Sequence, residues 1–423
     1  MLPRLFLSST ANKYTVSLQM SWKHDPDAIV NATLKKYKEL PKQGKPIFHE
    51  TKAEWTVLAS IVMVHESSQS IEVISLGTGL KCLPFSKLSK AGDTLHDSHA
   101  EVIARRGFIK FLLEYAKSFD PSHQDSPFYK KDGKLALRPE YSFHMYISQS
   151  PCGDASMTAL AAQQTSESFE QFQSGSNKRK RMVEYLTENM YINKKQKIST
   201  QQFRRGRFEY DQLGVLRTKP GRVDSEPTLC MSCSDKLARW NVLGIQSALL
   251  TFLFHPIYLS SVTIGDMYDH EAIKRALCQR LSSLEGLPSS YRLNCPIIAK
   301  TDIPFEASKS VLEKRYASTI PSSTCTILWV KGMAKSEVFV NGQKQGAPKG
   351  KPTTAKTRPS ICKLNMFHEF LTIRQKEEKE EKEGQNYSEW KQGAIEYQKA
   401  KTCLLDQVFQ SWVQTPLEYE QFK

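Results

Sequence analysis

The stretch Asp97–Arg106, DSHAEVIARR, constrains this chain more than any other. His99 and Glu101 open a run with apolar residues at Ala100, Ile103, Phe108, Phe111, Leu112 and Tyr115. That is a helical period, and the spacing predicts a helix from about residue 97 to 117 with Asp97 or Ser98 as its N-cap. An imidazole and a carboxylate two residues apart at a helix start suit a hydrolytic zinc site. One side chain holds the metal and the other moves a proton. Such triplets also arise by chance, so the reading depends on matching thiolates elsewhere.

Two thiolates stand at comparable places. Residues 141–148, YSFHMYIS, read as a strand that ends in SPCGDAS. Cys152 follows Pro151 at the next helix start, where the helix dipole lowers a thiol pKa. A second thiolate three residues on would complete P-C-x-x-C, but Ala155 stands there. The next cysteines are Cys230 and Cys233, and a separate zinc knuckle would need a second C-x-x-C pair that the chain lacks. Cys233 opens the helical pattern Leu237, Trp240, Leu243, Leu250, whereas Cys230 lies in the loop before it. His99, Cys152 and Cys233 therefore predict a tetrahedral zinc site with one position open to water, and Glu101 is its proton carrier. H-x-E followed by a strand and P-C at a helix start is the signature of the zinc-dependent nucleobase deaminases.

The rest of the chain limits the partner. The formal net charge of +15 favours a polyanion such as nucleic acid. A deaminase of free nucleosides or of cytidine would not need this charge and would carry P-C-x-x-C. A catalytically silent RNA-binding scaffold would lack the carboxylate that Glu101 supplies. The nine cysteines follow no disulfide framework and read as reduced thiols. No apolar run reaches the roughly 18 residues of a membrane span, so no membrane partner is expected.

Organisation follows from the alternation of strands and helices, which predicts an α/β class. Residues 1–24 contain Arg4, Lys13, Lys23 and no acid, and read as a poorly ordered extension rather than a mitochondrial targeting segment. Residues 25–423 then form the catalytic domain. Within it come a helix at 28–40, a hairpin from 55–65 and 71–76, a strand at 257–264 and a basic helix at 269–283. A second hairpin covers 326–331 and 336–341, and the last 60 or so residues are helical. The first hairpin runs into GTGLKC (Gly77–Cys82), a loop whose two glycines let backbone approach closely. About 164–207 is a polar insertion carrying KRKR (Lys178–Arg181) and KKQK (Lys194–Lys197), a nuclear signal or an RNA contact. About 342–360 is a Gly/Pro/Lys-rich mobile loop. The loop LRTKPGR (Leu216–Arg222) offers Lys219 and Arg222 as RNA contacts.

HAEVIARR, SPCGDAS and MSCSDKLARWNVLGIQ resemble the deaminase domain of the adenosine deaminases that act on RNA, from about residue 45 to the C-terminus. LPKQGKP, GDTLHDSHAEVIARR, LRTKPGR, HPIYLSSVTIG and EVFVNGQKQG are similar to the tRNA-specific branch of that family. The resemblance implies a cytidine-deaminase-like three-layer α/β/α sandwich with a C-terminal helical extension. It implies conversion of adenosine to inosine in tRNA, at position 37 beside the anticodon of alanine tRNA. Action on other structured or double-stranded RNA is the alternative. Only about 45 residues precede the matching region, too few for a double-stranded-RNA-binding domain, which favours tRNA. The expected setting is the nucleus or cytoplasm, with tRNA as partner and no obligatory protein partner. Lys81 matches a family residue near the target nucleotide, although Leu80 departs from the threonine usual beside it.

The family also implies a buried inositol hexakisphosphate. Arg106 lies two turns below His99 on one helix face, and Lys236 and Trp240 lie three and seven residues after Cys233. Both ligand helices thus carry cations behind the metal, where unpaired charge costs several kcal/mol and a polyanion would offset it. By resemblance the further contacts are Arg105, Arg239, Gln246, Lys391, Tyr397, Lys401 and Trp412. His96 stands where the family has Asn, and Gln414 and Thr415 are neutral where the editing enzymes carry charge.

Overall fold

The computed structural model describes residues 25–49, 52–123, 125–162, 203–207, 209, 211–219, 225–348, 350–377 and 384–423. The N-terminal extension, both basic clusters and Arg222 lie outside the described residues.

Helix α1 (Pro26–Glu39) starts where Asp25 accepts the Asp27 N–H, with proline in the first turn. Strands β1 (Leu58–His65) and β2 (Ser70–Thr78) form the expected antiparallel hairpin. Short strands β3 (Leu80–Cys82) and β4 (Asp97–His99) precede helix α2 (Ala100–Lys117). Next come β5 (Tyr141–Gln149), α3 (Asp154–Ala162), β6 (Phe203–Arg205) and β7 (Leu216–Thr218). Helix α4 (Cys233–Leu243), β8 (Leu259–Asp266), α5 (His270–Leu277) and β9 (Ile297–Lys300) follow. The chain ends with β10 (Thr326–Val330), β11 (Glu337–Val340), β12 (Gln343–Lys344), α6 (Lys363–Glu377), α7 (Tyr387–Gly393) and α8 (Ile395–Gln407).

A mixed sheet of eight strands organises these elements in the order β9-β8-β5-β1-β2-β10-β11-β12. The β9–β8 and β8–β5 pairs are parallel and the pairs from β5 onward are antiparallel. Both faces are buried, as the near-continuous apolar strands require. Ala59, Ile61, Met63, Phe143, Met145 and Ile147 share one core with Ile103 and Phe108 of α2, Trp240 of α4 and Phe367 of α6. Leu58, Val62 and Tyr146 share the opposite core with Ile29, Val30 and Tyr37 of α1. The period-2 alternation of strand side chains divides the two cores.

Three expectations change here. The predicted helix over 97–117 begins at Ala100, because Asp97–His99 pair with Leu80–Cys82 as a strand and His99 itself is the N-cap. GTGLKC is therefore strand rather than loop. Its glycines do admit close approach: a Cβ on Gly77 would fall 2.7 Å from Ile103, and Gly79, at φ 137°, lies against the Ser98 carbonyl. The loop expected to be mobile over 342–360 holds β12. There the Lys344 N–H donates to the Thr357 carbonyl, and Gln343 Nε2 donates to Thr353 Oγ1.

Candidate active site

Three element boundaries meet at one end of α2. His99 ends β4 in extended conformation, and its backbone N–H donates to Asp97 Oδ1 at 3.0 Å. Cys152 lies between β5 and α3. Cys233 is the first residue of α4, whose N-cap Ser232 accepts the Asp235 N–H. The two cysteine junctions are laced together. The Ser234 N–H and Ser234 Oγ both donate to the Cys152 carbonyl, and the Cys233 N–H points at Cys152 Sγ from 3.4 Å. Gly153, at φ 102°, makes this possible, since a Cβ there would strike the Ser232 side chain.

His99 Nδ1 lies 3.8 Å from Cys152 Sγ and 3.7 Å from Cys233 Sγ. All three ligand atoms fall within 4.8 Å of one another. Tetrahedral zinc with Zn–S of about 2.3 Å and Zn–N of about 2.0 Å gives an N···S edge of about 3.5 Å, so these residues fit the ion. A second group, Cys82, Asp97 and His99, is equally close, but two lysines already occupy the Asp97 carboxylate. Glu101, in the first turn of α2, is 4% exposed. Burial raises its pKa above the usual carboxylate range, with the His99 imidazole opposing and Cys152 reinforcing the shift. Cys152 is held well below the usual thiol range by the Cys233 hydrogen bond, against burial and with help from Lys219 and His99. One thiolate and one carboxyl able to carry a proton thus share a buried site.

Lys219 requires a correction. It is 3% exposed and cannot meet a substrate. Its ammonium donates to Asp97 Oδ2 at 2.8 Å and to Cys233 Sγ at 3.1 Å. Burial opposes this charge, yet Asp97 and the neighbouring sulfurs raise its pKa well above the lysine norm. Asp97 Oδ2 also accepts from Lys236. Burial alone would raise the Asp97 pKa; the two lysines hold it well below the carboxylate norm. The path Cys233–Lys219–Asp97–Lys236 leads from the metal ligands into a cavity of about 330 Å³.

That cavity is lined by Arg105 and Arg106 of α2, Lys236, Arg239 and Trp240 of α4, Lys391 of α7, Tyr397 and Lys401 of α8, and Trp412. His96, Gln414 and Thr415 line it too. Arg105 lies over the Trp240 ring and Arg239 over the Trp412 ring, each at 4.8 Å. Burial, with Arg239 and Arg106 nearby, lowers Arg105 to about 10. Burial, Arg239 and Lys391 lower Lys401 to about 8. Burial drops His96 to about 3, and its Nε2 and the Thr94 hydroxyl are buried without partners among the described residues. Gln246 is the second correction. It is fully buried outside the lining, donating to the Leu243 carbonyl and accepting the Ile257 N–H. Sequence reasoning missed Lys363, Tyr387 and Glu420, which join the lining from α6, α7 and the C-terminal segment. Glu420 binds both Lys363 and Lys391.

Lys81 stands exposed on β3, opposite Ser98, with Nζ 2.8 Å from Ser322 Oγ. No helix among the described residues is long and apolar enough to cross a membrane.

Comparison with known proteins places this geometry. Residues 75–416 match the adenosine-deaminase (editase) domain family. The tRNA-specific adenosine deaminase 1 of Homo sapiens is 30% identical, across 91% of this chain and 96% of that protein. The protein of that name from Drosophila melanogaster is 33% identical, across 93% and 96%. The double-stranded RNA-specific adenosine deaminase of Mus musculus is 30% identical, across 99% of this chain and 34% of its own length. The chain belongs to the adenosine-deaminase (editase) domain family and is a hydrolytic adenosine deaminase. The family is zinc-dependent, and the cluster of His99, Cys152 and Cys233 could bind a metal.

Proposed function

We propose that this protein deaminates adenosine to inosine in tRNA, at position 37 beside the anticodon of alanine tRNA. The meeting of His99, Cys152 and Cys233 beside buried Glu101 is the observation that carries the reading. A zinc held there supplies a water acidified toward neutrality. The chain's own part is proton movement and exclusion of solvent. Glu101, with its raised pKa, accepts the two protons of the attacking water one after the other at its carboxylate, and passes the first to the purine ring nitrogen and the second to the departing amine. The target base leaves its stack at little cost, because an anticodon loop is already single-stranded. The match to tRNA-specific deaminases spans 96% of their own length, and this supports tRNA as the substrate.

We further propose inositol hexakisphosphate for the cavity behind the metal. Arg105, Arg106, Lys236, Arg239, Lys391 and Lys401 repel one another there, and the carboxylates of Asp97 and Glu420 are already engaged. The unpartnered Thr94 hydroxyl and His96 Nε2 offer further polar contacts. Residues 25–423 are read as one catalytic domain of cytidine-deaminase-like α/β/α type, working in the nucleus or cytoplasm.

The test is inosine sequencing after incubation with total tRNA, beside a duplex RNA control. Inosine confined to duplex RNA, or full activity in Glu101→Ala, would overturn the tRNA reading or the Glu101 role respectively. Zinc and phosphorus analysis of the purified protein tests both cofactors.

A further inference from the structure

Arg217 and Lys219 of LRTKPGR turn inward, which moves the search for a substrate contact to the neighbouring strand. Arg217 is fully buried, and its guanidinium donates to the carbonyls of Gly206, Glu209 and Gln212. Lys219 is spent on Asp97 and Cys233. Strand β6 runs parallel to β7, with Arg204 beside Arg217 and Arg205 beside Thr218. Arg204 binds Glu209 and Gln212, and Arg205 binds the Ser225 carbonyl. The Gly206 N–H then donates to the Thr218 carbonyl at 2.8 Å, and Arg217 holds the Gly206 carbonyl.

Arg207 therefore leaves the strand pair at the level of Thr218, one residue before the lysine that touches a metal-ligand sulfur. Its side chain reaches solvent although its surroundings are dense enough that burial lowers its pKa, and among the described residues its guanidinium has no hydrogen-bond or ion-pair partner. It lies within electrostatic reach of Cys152. The buried staple made by Arg217 holds the backbone from which Arg207 projects.

We propose that Arg207 grips a backbone phosphate next to the target adenosine, as a positioning residue for the deamination. Adenine is uncharged and gives a guanidinium nothing ionic to hold. A polynucleotide places phosphates on both sides of every base, and the planar fork of arginine matches a phosphate with two parallel hydrogen bonds. Phosphate contacts of this kind fix register without reading sequence. Arg207 would thus make the site selective for RNA over free nucleoside. The proposal rests on the RNA reading above.

The test uses the full chain with Arg207→Gln and Arg207→Lys, on tRNA and on duplex RNA. KM for the deaminated RNA should rise roughly tenfold in Arg207→Gln while kcat stays within about twofold. The slope of log Kobs against log salt should become shallower by about one, and Arg207→Lys should restore the slope. Zinc content and melting temperature should match wild type. An unchanged KM and salt slope, or a fall in kcat and zinc content without a change in KM, overturns the assignment. Wild type that binds neither RNA removes the RNA reading and Arg207's role together. Active wild type matched by Arg207→Gln removes only the latter.

Discussion

The metal triad and the cation cavity lie back to back, with Asp97 between them, and are assembled by opposite means. The triad draws one side chain from each of three strand or helix boundaries, and their charges answer one another: Lys219 faces both Cys233 and Asp97. The cavity draws cations from α2, α4, α6, α7 and α8; Asp97 and Glu420 answer Lys236, Lys363 and Lys391, while Arg105, Arg239 and Lys401 stay under repulsion from cationic neighbours. Arg105 falls to about 10 and Lys401 to about 8, each chiefly through burial and then through cationic neighbours. A few soft donors make a metal site by short-range geometry. The proposed polyanion site rests instead on a field that many elements share.

If the chemistry resides wholly on the triad side, Glu101→Gln should remove it and spare the cavity. The expected loss is about 10²–10⁴-fold in kcat, the usual worth of a general acid–base. Zinc content and melting temperature should hold, because Glu101 is not among the metal-ligand atoms. Steady-state inosine formation checks this, and activity within tenfold of wild type would separate Glu101 from proton transfer.

Asp97→Asn probes the link between the regions. Asparagine keeps the shape but leaves Lys219 and Lys236 facing each other without their shared anion. Outer-shell partners of metal ligands are worth about 10–100-fold in metal affinity, and a loss of that order is expected in a chelator competition. Unaltered zinc affinity and unaltered anion binding would show that the two regions are independent.

Legibility in the sequence divides along the same line. His99, Cys152 and Cys233 could be located because strand endings, Pro151 and helical periods mark element boundaries locally. The N-cap was misplaced by one or two residues, since the pairing of Asp97 with Cys82 is a contact between strands. Lys219 looked like a surface cation because its partner Asp97 lies 122 residues earlier. Gln246 was carried into the cavity by resemblance, but its amide is consumed by backbone at Leu243 and Ile257. Lys363 and Glu420 gave no signal, as only the docking of the C-terminal segments brings them to the cavity. The hairpins were readable, but the order of eight strands was not, because the parallel joins of β8 to β5 and β9 are set by distant segments.

The anion proposed for the cavity gives a test that changes sign. Lys401→Met should destabilise the anion-loaded protein by about 1.5–3 kcal/mol, the worth of a hydrogen bond to a charged group. In protein stripped of anion the same change should stabilise, by about 0.5–2 kcal/mol, since a buried and repelled charge is removed. Thermal melts with and without inositol hexakisphosphate measure both. Shifts of the same sign in the two states would mean that the cavity needs no anion.

The smallest expected effect is the pH dependence of that stabilisation. Lys401 titrates near the ordinary lysine value of 10.5 when unfolded and at about 8 in the folded, anion-free chain. Below pH 8 both states hold the proton, and the folded state bears the full penalty. Between 8 and 10.5 the unfolded state binds more protons than the folded one, so this residue's contribution to stability rises with pH. Other titrating groups cancel in the difference between wild type and Lys401→Met. The melting gap between them, both stripped of anion, should therefore be widest at pH 7–8 and close as pH approaches 10.5. A gap that stays constant across that window would mean that neither burial nor the charges of Arg239 and Lys391 act on the Lys401 ammonium.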